Sequence, residues 1–110
     1  MKLHTYVQYY LGLTFEQVLN RRLKGLASAK AKARDGLAYA KAMYAYHHTQ
    51  VMELNLSKYD LLEAQLSLLE AQEGIDYANS LLKYYEVRAE QVNLLLQQHT
   101  NKEEQLILQT

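Results

Sequence analysis

Two adjacent histidines, His47 and His48, are the residues whose type most readily suggests chemistry, because imidazole nitrogens bind zinc and other transition metals. Metal sites on helices need ligands that converge, typically three or four residues apart. Adjacent residues on a helix point about 100° apart, and the sequence contains no Glu-x-x-His. We therefore expect a structural role for both histidines, with no metal and no cofactor.

The rest of the sequence offers no residue pattern typical of an active site. The chain has no cysteine, so it can form neither a thiolate nucleophile nor a disulfide. No glycine-rich phosphate loop and no nucleophile beside a matching base stands out. We predict that the chain is not an enzyme and that it acts through contacts with other proteins.

A basic run in the first half is the feature that most suggests nucleic acid. It consists of Arg21, Arg22, Lys24, Lys30, Lys32 and Arg34. The second half is acidic: residues 1–55 carry eight Lys or Arg against three Asp or Glu, and residues 56–110 carry four against nine. The two totals balance, and the net charge is zero. We predict that the halves lie side by side and that nucleic acid is not a partner.

The elements that position these residues are two long helices, indicated by apolar residues that recur in steps of three and four. In the second half this stripe comprises Leu61, Ala64, Leu68, Ala71, Ile75, Ala78, Leu82, Tyr85, Ala89, Val92 and Leu96. In the first half it comprises Leu19, Leu23, Leu26, Ala33, Leu37, Ala40, Tyr44, Val51 and Leu54, with Lys30 and His47 in the same phase. The chain has no proline, which suits helices of this length.

The two stripes fit each other as an antiparallel hairpin. If residues whose numbers add up to 115 face each other, large side chains meet small ones at five layers, as closely packed helices require. These layers are Tyr44 with Ala71, Ala40 with Ile75, Leu37 with Ala78, Ala33 with Leu82, and Leu26 with Ala89. We predict an all-α fold, a long antiparallel coiled-coil hairpin that assembles into a multi-helix bundle.

Capping residues mark the ends of the predicted helices. Thr14 with Gln17, and Ser57 with Asp60, have the spacing of helix N-caps and capping boxes. Asn55 suits the left-handed residue that ends a helix. The predicted parts are an N-terminal arm (1–13), a hairpin (14–97) with helices 14–54 and 57–97 and a turn near 54–57, and a polar C-terminal tail (98–110).

Ten tyrosines and many leucines exceed what one helix pair can bury. The heptad stripes that pack against each other form the seam of the hairpin. The apolar residues outside this seam form a second stripe, and aromatic residues are favoured at protein contacts. The proposed oligomer interface comprises Tyr39, Met43, Tyr46, Leu62, Leu66, Leu69, Tyr77 and Tyr84. We predict a homo-oligomer or a bound protein partner.

The start of the second helix carries the string Ser-x-x-Asp-x-Leu-x-Ala-Gln in residues 57–65, followed by Leu-Leu-Glu-Ala-Gln in residues 68–72. This pattern resembles the TolC-type outer-membrane efflux channels, in which it begins the second arm of a coiled-coil hairpin at the periplasmic tip. The resemblance covers about residues 44–96, and Leu54 stands at the family's glycine position.

The resemblance implies a structural role as the periplasmic stem of an export channel. A channel protomer of that family has two such hairpins and additional β-strands, so this chain corresponds to one hairpin, as a fragment, a truncated relative or a designed excerpt. Its turn would dock an adaptor protein through Ser57, Lys58, Tyr59 and Asp60.

The resemblance also implies a location in the periplasm or outer membrane. Residues 1–7 lack the apolar run of a signal peptide, and no stretch has the roughly 20 apolar residues of a membrane span. The alternative function is a small helical protein-binding subunit of a larger complex, with no role in transport.

Overall fold

The protein is a helical hairpin in a computed structural model that describes residues 14–53 and 55–109, the stretches 103–105 and 107–109 by their backbone alone. Helix α1 spans Phe15–Val51 and helix α2 spans Lys58–Gln109. The predicted all-α hairpin is thus confirmed. The predicted N-terminal arm, and Leu54 at the end of the first stripe, lie outside the described residues.

The start of α1 is fixed by a reciprocal capping box. The Thr14 backbone N–H donates to Gln17 Oε1 at 2.9 Å, and the Gln17 backbone N–H donates to Thr14 Oγ1 at 3.2 Å. These bonds satisfy two backbone donors that a helix start leaves without intrahelical partners. The predicted N-cap at Thr14 is confirmed.

The turn begins earlier than predicted. Helix α1 ends at Val51, after which the Glu53 backbone N–H donates to the Gln50 carbonyl at 3.1 Å in a tighter, three-residue spacing. At the start of α2, the Asp60 backbone N–H donates to Ser57 Oγ at 3.1 Å, and that hydroxyl donates to Asp60 Oδ2 at 2.9 Å. Ser57 is therefore the N-cap of α2, as the sequence predicts.

The far end of α2 differs from the prediction. Residues 98–109 continue the helix to Gln109 rather than leaving it at Gln97. This stretch is polar as far as residue 105 and contains neither proline nor glycine, so nothing in it stops a helix that is already formed.

The hairpin comprises two compact units. The turn unit is Lys30–Tyr84, and the terminal unit joins Met1–Ala29 to Tyr85–Thr110, of which residues 14–29 and 85–109 are described. In the terminal unit the rings of Phe15 and His99 lie 5.1 Å apart between centroids, and Val18, Leu19 and Val92 are buried. Helix α1 therefore packs against α2 in this unit with the antiparallel sense that the seam predicts.

In the turn unit the buried core is made of alanines. The seam positions that are buried there are Ala33, Ala40, Ala64, Ala71 and Ala78. The larger seam residues beside them, such as Leu37, Ile75 and Leu82, are half-buried. Small side chains let the two backbones approach closely, and the large ones fill the flanks of the contact.

Candidate interaction surfaces

The outer face of α2 in the turn unit carries six large exposed apolar side chains among charged and polar ones. If Leu61, Leu68 and Ile75 are assigned to position a of the heptad, these large apolar residues fall at positions b, c and f. Those positions are roughly opposite the seam. The six residues are Tyr59, Leu62, Leu66, Leu69, Tyr77 and Tyr84. We call this set the α2 stripe. Leu69 is 62% exposed and Tyr77 68%, so α1 of the same chain leaves most of their surface in contact with water.

The outer face of α1 in the turn unit differs in shape. Tyr39 is 69% exposed and Tyr46 is exposed too, while Met43 is half-buried beside the seam. The same face of α1 also carries exposed alanines: Ala31, Ala38, Ala42 and Ala45. We call the two tyrosines and these alanines the α1 stripe. Its signal in the sequence was the same heptad spacing, at positions b, c and f.

The predicted tip residues all lie on the surface at the start of α2. Ser57, Lys58, Tyr59 and Asp60 are exposed, and Tyr59 is 70% exposed. Ser57 and Asp60 are engaged with each other in the helix cap. Lys58 and Tyr59 are therefore the side chains of this group that a partner would contact.

On the other side of the turn, Met52 is an exposed apolar side chain that was not among the predicted tip residues. It follows α1 directly, in the turn that connects the helices. The tip thus offers one apolar, one aromatic and one cationic side chain within a few residues of chain.

The two histidines lie in side-chain contacts on α1. His47 is half-buried, and its Nδ1 is 3.0 Å from Gln50 Oε1, while Gln50 Nε2 donates to the Tyr46 hydroxyl at 3.3 Å. His48 is exposed and stacks on Tyr44 with 6.1 Å between ring centroids. Throughout the described part of the chain, no group of three or more His, Asp or Glu residues is placed to hold a metal ion.

Charge divides between the two helices of the turn unit. Residues 30–51 carry four Lys or Arg and one Asp, a net charge of +3. Residues 58–84 carry two Lys and five Asp or Glu, a net charge of −3. Each helix therefore attracts the other, within one chain or between chains.

Neither α1 nor α2 has, in its described residues, an apolar stretch sufficient to cross a membrane. Comparison of the chain with known protein families, with curated proteins and with solved structures finds no match. The basis for assigning a function is therefore the exposed apolar stripes and the tip.

Proposed function

We propose that this chain is a structural assembly element: a helical hairpin that associates with further copies of itself and presents its turn to a partner protein. The observation that carries the proposal is the α2 stripe. Six large apolar side chains are exposed along the outer side of one helix, several turns long. Soluble monomers rarely leave large apolar patches exposed, and such patches often mark contacts with other proteins.

The test of self-association adds charge to the α2 stripe. Replacing Leu66 and Leu69 by Glu would place two carboxylates in the proposed contact, where they would lose water without gaining a partner. We expect the assembly to dissociate while the circular dichroism signal of the helices is largely kept, because neither side chain belongs to the seam.

The matched control adds the same two charges beside the seam, at the exposed Gln65 and Asn79. Gln65→Glu with Asn79→Glu leaves the α2 stripe intact, and we expect its mass to equal that of the unmodified protein. If both double variants dissociate equally, total charge rather than the stripe governs assembly, and the proposal fails.

The proposed role of the tip is to dock a periplasmic adaptor of an export system, by the resemblance of residues 57–65 to the TolC-type channels. The exposure of Lys58 and Tyr59 at the turn supports this role. We expect a purified adaptor to bind the chain, and expect binding to be lost in Lys58→Glu with Tyr59→Ala. If that double variant binds the adaptor unchanged, the tip is not the contact.

A further inference from the structure

We infer that the partner covering the α2 stripe is the α1 stripe of a second copy, so that copies join side by side and not face to face. This inference rests on the proposed self-association and specifies its contact. It commits to one occupant, another copy of this chain, and to one register between the copies.

Charge favours this pairing. The α2 portion of the turn unit is acidic and the α1 portion is basic, each by three charges. Pairing two α2 stripes would bring like charges together, because positions b, c and f of α2 carry Glu63, Glu70, Glu73 and Asp76 against Lys83. Pairing α1 of one copy with α2 of the next brings opposite charges together, which suppresses the other arrangements.

The register follows from the hairpin itself. The structure brings Ala40 beside Gly74, so residues of α1 and α2 at equal height have numbers that add up to about 114 or 115. Copies related by rotation about an axis parallel to the helices also stand at equal height. The same pairing of residue numbers therefore holds between the α1 of one copy and the α2 of the next.

Under that rule two layers of the contact are complementary in size. Ala38 faces Tyr77 and Ala31 faces Tyr84 across the contact, an exposed small side chain against an exposed large one. The five seam layers use the same large-to-small pairing. Interdigitation of this kind is what allows two helices to pack without voids.

Two layers of this contact are less favourable. Tyr46 faces Leu69, one large exposed side chain against another. Lys32 faces Lys83 at equal height, and both side chains are exposed. The free-energy cost of this lysine pair is small, because exposed like charges on long side chains interact weakly.

The side of each helix on which the stripe lies determines how further copies join the assembly. On each helix the stripe lies roughly opposite the seam, because positions b, c and f are opposite a and d. In a four-helix bundle each helix meets its two neighbours at about 90° to each other. Contacts on opposite sides of a helix do not close after two copies, so we expect more than two.

The experiment uses cysteine pairs on the full chain, which has no native cysteine. Two in-register pairs combine singly substituted chains: Asp35→Cys with Ser80→Cys, and Ala42→Cys with Glu73→Cys. All four residues are exposed at position f, at the middle of the stripes, and none is an apolar anchor of the α2 stripe. A disulfide requires Cβ atoms about 3.5–4.5 Å apart, so oxidation reports direct contact.

The matched controls exchange the partners. Asp35→Cys with Glu73→Cys, and Ala42→Cys with Ser80→Cys, are one heptad out of register, about 10 Å along the helix. We expect interchain disulfides in both in-register mixtures, identified by mass spectrometry of the linked peptides, and loss of the product in both out-of-register mixtures.

Other outcomes separate this inference from the proposed function. Disulfides between two copies of the Ser80→Cys chain, in preference to the mixture, would mean that α2 stripes pair with each other and would overturn the inference. Equal yields in and out of register, or no interchain disulfide in a sample of oligomeric mass, would overturn it while leaving self-association intact. A monomeric mass for the unmodified chain would overturn the proposed function itself.

Discussion

A Cβ atom built on Gly74 of α2 would lie 3.3 Å from the Cβ of Ala40 on α1. This distance is shorter than ordinary van der Waals contact between carbon atoms. The two helices therefore approach each other closely at a position where one of them has no side chain at all. Gly36 lies within α1 of the same turn unit, and a Cβ built there would meet nothing within 4 Å.

The first prediction compares these two glycines. Gly36→Ala should raise the free energy of unfolding by about 1 kcal/mol, because alanine favours an exposed helix and nothing obstructs its methyl group. Gly74→Ala gains the same helix propensity but must push Ala40 aside, so its stability should increase less or fall. Urea denaturation at fixed protein concentration measures both. Equal gains would show that the helices are not in close contact at Gly74.

The second prediction concerns the register of the hairpin. Cysteines placed together at Ala40 and Ile75 should form a disulfide within one chain, because these seam positions face each other at nearly equal height. Reducing and non-reducing electrophoresis at low protein concentration separates intrachain from interchain products. Exclusively interchain disulfides would contradict the hairpin.

The third prediction tests how tightly the alanine core is packed. Ala78 is buried, and Ala78→Leu should lower the free energy of unfolding by about 1–3 kcal/mol because the added carbons have no space. Ala27→Leu is the control, since Ala27 is exposed and a leucine there extends into water. An equally small effect in both variants would mean that the layer containing Ala78 is loose.

The fourth prediction tests the cap of α2. Ser57→Ala removes the hydroxyl that accepts the Asp60 backbone N–H, and should cost about 1 kcal/mol of stability. Ser80→Ala, at an exposed position within the same helix, should be neutral or slightly stabilising because alanine is the better helix former. A neutral Ser57→Ala would show that another group replaces the cap.

Much of this fold follows from local patterns in the sequence. The cap of α1 at Thr14 and the cap of α2 at Ser57 depend on residues three positions apart, and the structure has both. The predicted seam residues that the structure describes are all buried or half-buried, Lys30 and His47 included. Helical periodicity reports which side of a helix is covered, so these features were accessible without coordinates.

Other features depend on contacts that a local pattern does not contain. The length of α2 beyond Gln97 is one, because its polar residues 98–101 carry no apolar stripe and yet His99 packs on Phe15. The alanines of the α1 stripe are another. An alanine on a helix surface usually reflects helix propensity alone. Only the exposed Tyr84 and Tyr77 at equal height on α2 distinguish Ala31 and Ala38 from such alanines.

The molar mass of the unmodified protein, measured by sedimentation equilibrium from about one to about a hundred micromolar, tests the central claim most directly. Self-association through the stripes predicts an oligomer of more than two chains that dissociates on dilution, with a thermal stability that rises with concentration. A monomeric mass across this range, together with cooperative unfolding that does not depend on concentration, would contradict the account.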